Sequence, residues 1–84
     1  MGRLRLTKLI NIGMKRKVGD NVRIKSREEI DRYLKENGDF ESGFEHDMYV
    51  YCGMESVVVY VSEWAYKLYI DNERWFWNDE MFEY

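Results

Sequence analysis

The sequence predicts a mainly β domain with one inserted helix, and three observations carry that expectation. Val22 and Ile24 alternate with Arg23 and Lys25, the period-2 pattern of a half-buried strand. A valine-rich run from Ser56 to Ser62 has apolar side chains on both of its faces, as in a strand enclosed on two sides in a small closed barrel or beneath a helix. Between them, "SREEIDRYLKENG" carries the start and stop signals of a helix. At 84 residues the chain is one domain, and its core must be dense in large side chains. Seven Tyr, four Phe and three Trp supply that density without disulfide or metal.

The elements follow in order. Gly19-Asp20-Asn21 reads as the turn that launches the first strand, which stops at Ser26. Ser26 is the N-cap of the helix over 27–37, with Glu29 three residues on to close a capping box and Gly38 as the C-terminal stop. Ile30, Tyr33 and Leu34 make a narrow apolar stripe, and the spacings Glu28 to Arg32 and Asp31 to Lys35 suit ion pairs on the exposed face. "HDMYVYCG" fits either a helical turn from Asp47 to Gly53 or a strand. Three β segments come next, Ser56 to Ser62, Ala65 to Ile70 and Arg74 to Asn78, with Asp71-Asn72-Glu73 as a tight turn between the last two. Alternation puts Val57, Val59 and Val61 on one face of the first of these and Val58 and Tyr60 on the other.

In "RWFWN" the same alternation puts Trp75 and Trp77 on one face and Phe76 on the other. An exposed tryptophan pair is a costly patch, so the tryptophans are expected to face the core. Asp79 is expected to cap a last short turn, with Met81 and Phe82 folding back as a lid over an open barrel end.

Charge is uneven along the chain. Residues 1–25 hold eight basic groups against Asp20, a net of +7, and the remaining residues hold five against fifteen acids, a net of −10. Chemistry-bearing patterns are sparse. His46 is the single histidine and Cys52 the single cysteine, read respectively as a solvated loop residue and a buried small hydrophobe. No zinc, calcium or phosphate-loop spacing occurs, so no cofactor and no enzymatic activity are expected. The apolar patch near the N-terminus is too short and too interrupted by Lys8 and Asn11 for a membrane span, which points to a cytoplasmic protein without membrane association.

Three stretches, "KVGDNVRI" at 17–24, "MYVYCGMESVVV" at 48–59 and "WFWNDEMFE" at 75–83, resemble the small SH3-like β-barrel domains encoded by bacteriophages and prophage regions of Gram-positive bacteria. The resemblance covers residues 17–84, and its most specific element is Trp77-Asn78-Asp79-Glu80-Met81-Phe82. It implies a five-stranded SH3-like barrel with its first strand near Val18 to Lys25; the helical insert at 27–37 and the basic segment, residues 1–16, depart from that pattern. It carries over no catalytic residue and no assigned function.

Two binding readings follow. SH3-like barrels grip extended or proline-rich peptides across aromatic grooves, which makes Tyr49, Tyr51, Trp64, Tyr66 and Tyr69, beside Glu63 and Asp71, candidates for holding a basic or extended partner peptide. The alternative is nucleic acid, with Arg3, Arg5, Lys8, Lys15, Arg16 and Lys17 on phosphates and barrel aromatics stacking bases. Leu4, Leu6, Leu9, Ile10 and Ile12 form an apolar series that suits an extra strand or helix face, compatible with self-association through a strand edge.

Overall fold

In the first strand, β1 (Asn21–Ile24), Val22 and Ile24 are buried while Asn21 and Arg23 face solvent, as the alternation requires. The computed structural model describes residues 14–83. The turn before β1 falls at Val18-Gly19, with Gly19 at φ 97°, so Asn21 already belongs to the strand. Asp20 holds this turn by accepting from the backbone N–H of Lys17 at 3.0 Å and from its Nζ at 3.1 Å.

The helix α1 (Arg27–Asn37) has the predicted ends. The Ser26 hydroxyl accepts from the Glu29 N–H, the Glu29 carboxylate accepts from the Ser26 N–H, and Gly38, at φ 88°, donates its N–H to the Leu34 carbonyl. Ile30 is fully enclosed, and Tyr33 stacks on Phe40 with ring centroids 4.1 Å apart. Neither predicted ion pair along the helix forms among the described residues; Asp31 instead accepts from the Tyr49 hydroxyl. That contact ties the helix to residues 46–51, which resolve the open alternative as a 3-10 helix (His46–Tyr51) with Met48 buried beneath it.

The sheet is four-stranded and antiparallel, in the order β3-β2-β1-β4, where β2 is Glu55–Val61, β3 Tyr66–Leu68 and β4 Phe82–Glu83. The valines of β2 do not keep simple alternation. A bulge between Val58 and Tyr60 shifts the register against β3, so Val58 and Val61 both turn toward the core and Tyr60 turns out. One extra residue in one strand reverses the alternation beyond it, which is why Val57, Val59 and Val61 do not act as one face.

The expected strand Arg74 to Asn78 does not form, which leaves four strands in the sheet among the described residues. Only Trp77 pairs, exchanging two backbone hydrogen bonds with Tyr66 at 2.8 and 2.9 Å. Neighbouring backbone groups find side-chain partners instead. The Trp75 N–H goes to the Asp71 carboxylate at 3.0 Å, the Glu73 carbonyl to Lys67 Nζ at 2.9 Å and the Phe76 carbonyl to the Ser42 hydroxyl at 3.2 Å. β3 is also shorter than expected, because the chain turns at Tyr69 and passes through Asn72 and Glu73, both left-handed at φ 59° and 61°.

The sheet curls because the C-terminal segment visits both of its edges. Trp77 borders the outer edge of β3, and Phe82, five residues on, pairs with Ile24 at the outer edge of β1. The 3-10 helix Asp79–Met81 makes the crossing. The result is a half-barrel around Ile24, Ile30, Met48, Val58, Leu68, Trp77 and Met81, each no more than 1% exposed. Enclosing an aliphatic or Met side chain of this kind contributes about 1.5–3 kcal/mol. Trp77 is fully enclosed and Trp75 half-buried, so the inward assignment holds completely for the first and partly for the second. Met81 and Phe82 are core members rather than a lid.

Candidate functional site

Ser62 and Asn78 fix the turn that presents the largest exposed ring. After β2, the Ser62 hydroxyl accepts from the Ala65 N–H at 3.0 Å and the Trp64 N–H at 3.3 Å, while the Ser62 N–H donates to the Ala65 carbonyl at 2.8 Å. From below, buried Asn78 donates through Nδ2 to the Trp64 carbonyl at 3.1 Å and accepts from the backbone N–H and hydroxyl of Ser42 at 2.9 and 2.7 Å. With its backbone held on both sides, Trp64 points outward and is 59% exposed. Tyr60, turned out by the bulge, is 51% exposed. Together with Met14, Val61, Ser62 and Glu63 they line an open groove of about 630 Å³. A large ring held by a fixed backbone loses little freedom when it binds, which favours it as an anchor.

The sheet's outer face extends this surface. Tyr60 lies opposite Lys67 in the β2–β3 register, and Lys67 Nζ sits 3.9 Å from the centre of the Phe76 ring. Tyr60, Lys67 and Phe76 therefore form a row across the face beside the groove. Tyr60 was missed as a candidate because its orientation depends on the bulge.

The peptide-binding candidates do not converge. Glu63 and Trp64 share the groove just described. Tyr69, 71% exposed, lines a separate depression with Val57 and Ile70. Tyr49 borders a third, its ring under the Arg27 guanidinium at 4.3 Å, near His46 and Val50. Tyr51 is half-buried, edge-on to Trp77 at 6.2 Å.

Tyr66 requires correction, because it has no exposed surface. Its hydroxyl accepts from the backbone N–H groups of Lys15 and Arg16, both at 3.1 Å, and donates to Asp79 Oδ1 at 2.9 Å. Burial above all, with the Asp79 hydrogen bond adding to it, raises the Tyr66 phenol above its ordinary range. Asp71 is likewise interior rather than an acidic rim; Oδ2 accepts from the Trp75 N–H and from Trp77 Nε1 at 3.1 Å.

Of the nucleic-acid candidates, Arg3, Arg5 and Lys8 lie outside the described residues. Arg16 is built into the fold. Its guanidinium pairs with Asp79 at 2.5 Å, both side chains 14% exposed, and lies over the Phe82 ring at 5.0 Å. Asp79 thus serves as an anchor for Arg16 and Tyr66, not as the expected cap. Lys17 pairs with Asp20, and Lys15 is exposed with its backbone on Tyr66. Lys15 and Arg16 are thereby tied to Tyr66 and Asp79 in the body of the fold.

Cys52 is half-buried, and desolvation raises its thiol, which disfavours a reactive thiolate. His46 is exposed. Among the described residues no group of three or more His, Cys, Asp or Glu could hold a metal ion, and no helix is long and apolar enough to cross a membrane. The fold and its surface define a small β domain with one helix and a backbone-fixed aromatic groove. No family model, curated protein or solved structure matches the chain.

Proposed function

We propose that this chain is a non-enzymatic protein-interaction module on an SH3-like barrel, holding an extended basic segment of a partner protein in the groove between Tyr60 and Trp64. The observation that carries this reading is the exposure of both rings on either side of a groove that also presents Glu63, with the Trp64 backbone fixed by Ser62 and Asn78. The barrel assignment draws support from the curled antiparallel sheet and from the short 3-10 crossing between its edges. The phage or prophage setting comes from the motif resemblance, and a cytoplasmic location suits the lone unpaired Cys52.

A second reading, nucleic-acid binding, draws on Met14, which lines the groove and adjoins Lys15, Arg16 and Lys17 in the chain. Against it, Arg16 and Lys17 already have carboxylate partners, and the chain holds thirteen basic groups against sixteen acidic ones, a net of −3 that does not favour phosphates.

An NMR titration of the full chain with a lysine-rich peptide and with single-stranded and duplex DNA separates the two. The peptide should shift the Trp64 indole, Trp64→Ala should abolish the response, and Tyr69→Ala, in its separate depression, should leave it intact. DNA-induced shifts at low salt that spread from Lys15 to Lys17 onto Tyr60 and Trp64 would replace the protein-interaction reading with the nucleic-acid one.

A further inference from the structure

We infer that the groove takes its ligand as an added β-strand, with an extended segment of a partner protein, alternating apolar and basic side chains, pairing with the edge of β2 at Val59–Val61 that no strand among the described residues covers. This rests on the peptide-binding reading above and specifies both the mode and the chemistry of the partner.

The first observation is that β2 outruns β1. Their register ends at Asn21 opposite Val57, and the last backbone bonds between the two segments are Val58 N–H to the Asp20 carbonyl and Gly19 N–H to the Val58 carbonyl. Beyond that point β2 continues through Val61 with β3 on one side and, among the described residues, no strand on the other. Three residues of overhang span about 10 Å at ~3.3 Å each, enough for the core of a short added strand.

Second, the groove follows this overhang: Tyr60, Val61, Ser62, Glu63 and Trp64 all line it. An added strand alternates its side chains across the sheet. One set meets Tyr60 and Trp64 on the outer face, and the other meets Val61 and Met14. Such an arrangement uses main-chain hydrogen bonds for affinity and side-chain recesses for selectivity.

Charge supplies the third observation. Glu63 borders the groove and the chain carries a net charge of −3, so a basic strand is attracted and an acidic one repelled. A proline-rich ligand fits this edge poorly, because proline has no N–H with which to complete a ladder.

The test uses the full chain and two synthetic hexapeptides of alternating lysine and valine, one unmodified and one N-methylated at every second residue. The readouts are the Trp64 indole shift and the exchange rates of the backbone amides from Val59 to Val61. The unmodified peptide should shift the indole and slow exchange along the overhang, and the N-methylated peptide should bind roughly tenfold more weakly or worse, as expected for the loss of about two backbone hydrogen bonds. Equal binding of both peptides would overturn strand addition while leaving the peptide-binding reading in place. No indole response to either would overturn both. Overhang amides that point away from β3 but are already protected in the peptide-free protein would assign the edge to another segment of the same chain or, if protection grew with protein concentration, to a second copy. Either of those results would overturn the external partner.

Discussion

Replacing Tyr66 by Phe removes one oxygen and leaves the ring in place, so its cost measures the hydroxyl's three hydrogen bonds without a cavity. Two part-buried backbone donors, the N–H groups of Lys15 and Arg16, lose their acceptor, and Asp79 loses a donor. A bond to a charged group is worth about 1.5–3 kcal/mol and a neutral one about 0.5–1.5 kcal/mol, while donors near the surface recover part of their loss from water. The expected net destabilisation is about 2–3 kcal/mol, which for a domain of this size lowers Tm by roughly 10–20 °C. Thermal unfolding followed by near-UV circular dichroism reads this directly. Because Arg16 shares the same Asp79 oxygen, the double variant Tyr66→Phe/Asp79→Asn should cost less than the sum of the single ones. A Tm within about 2 °C of the parent would mean that the hydroxyl is not the tie between residues 14–16 and the core, and the reasoning would fail.

Three further outcomes are expected. The raised Tyr66 phenol contributes stability that is fully present below the unfolded tyrosine pKa of about 10 and is lost as pH rises through the higher folded value, so Tyr66→Phe should have a flatter alkaline stability profile than the parent; parallel profiles in urea titrations would refute this. The depressed Asp20 carboxyl, held down first by the backbone N–H of Lys17 and then by its side chain, works in the opposite sense, its contribution being lost only below about pH 4. Asp71→Ala takes the acceptor from the part-buried Trp75 N–H and from the buried Trp77 indole N–H and should cost roughly 2–4 kcal/mol in urea denaturation, with Asp71→Asn, which keeps an acceptor oxygen, costing less. Equal losses for the two Asp71 variants would show that the charge and not the acceptor geometry matters.

Local signals decided the elements that the sequence shows most clearly. The ends of α1 are legible because Ser26, Glu29 and Gly38 act within a few residues of each other: two side-chain to backbone bonds at one end and a left-handed glycine at the other. β1 is legible because strict alternation and one buried face go together. The assignment of Trp77 to the core followed from the cost of exposing it.

Tertiary structure decided the rest, through partners distant in the chain. Whether 74–78 forms a strand depended on Asp71, Lys67 and Ser42 taking its backbone groups, and no period in the sequence reports such competition. The direction of Tyr60 depended on a single bulged residue, and the burial of Tyr66 on two N–H groups some fifty positions earlier. Five aromatics with similar neighbours in sequence went to different places for that reason: hydrophobicity is a property of the residue, but exposure is set by what the fold brings against it. By itself the sequence determined a mainly β chain with one capped helix and a tryptophan core. Only the folded chain decided that Trp64, held from behind by Asn78, would share a groove with Tyr60 at the end of β2.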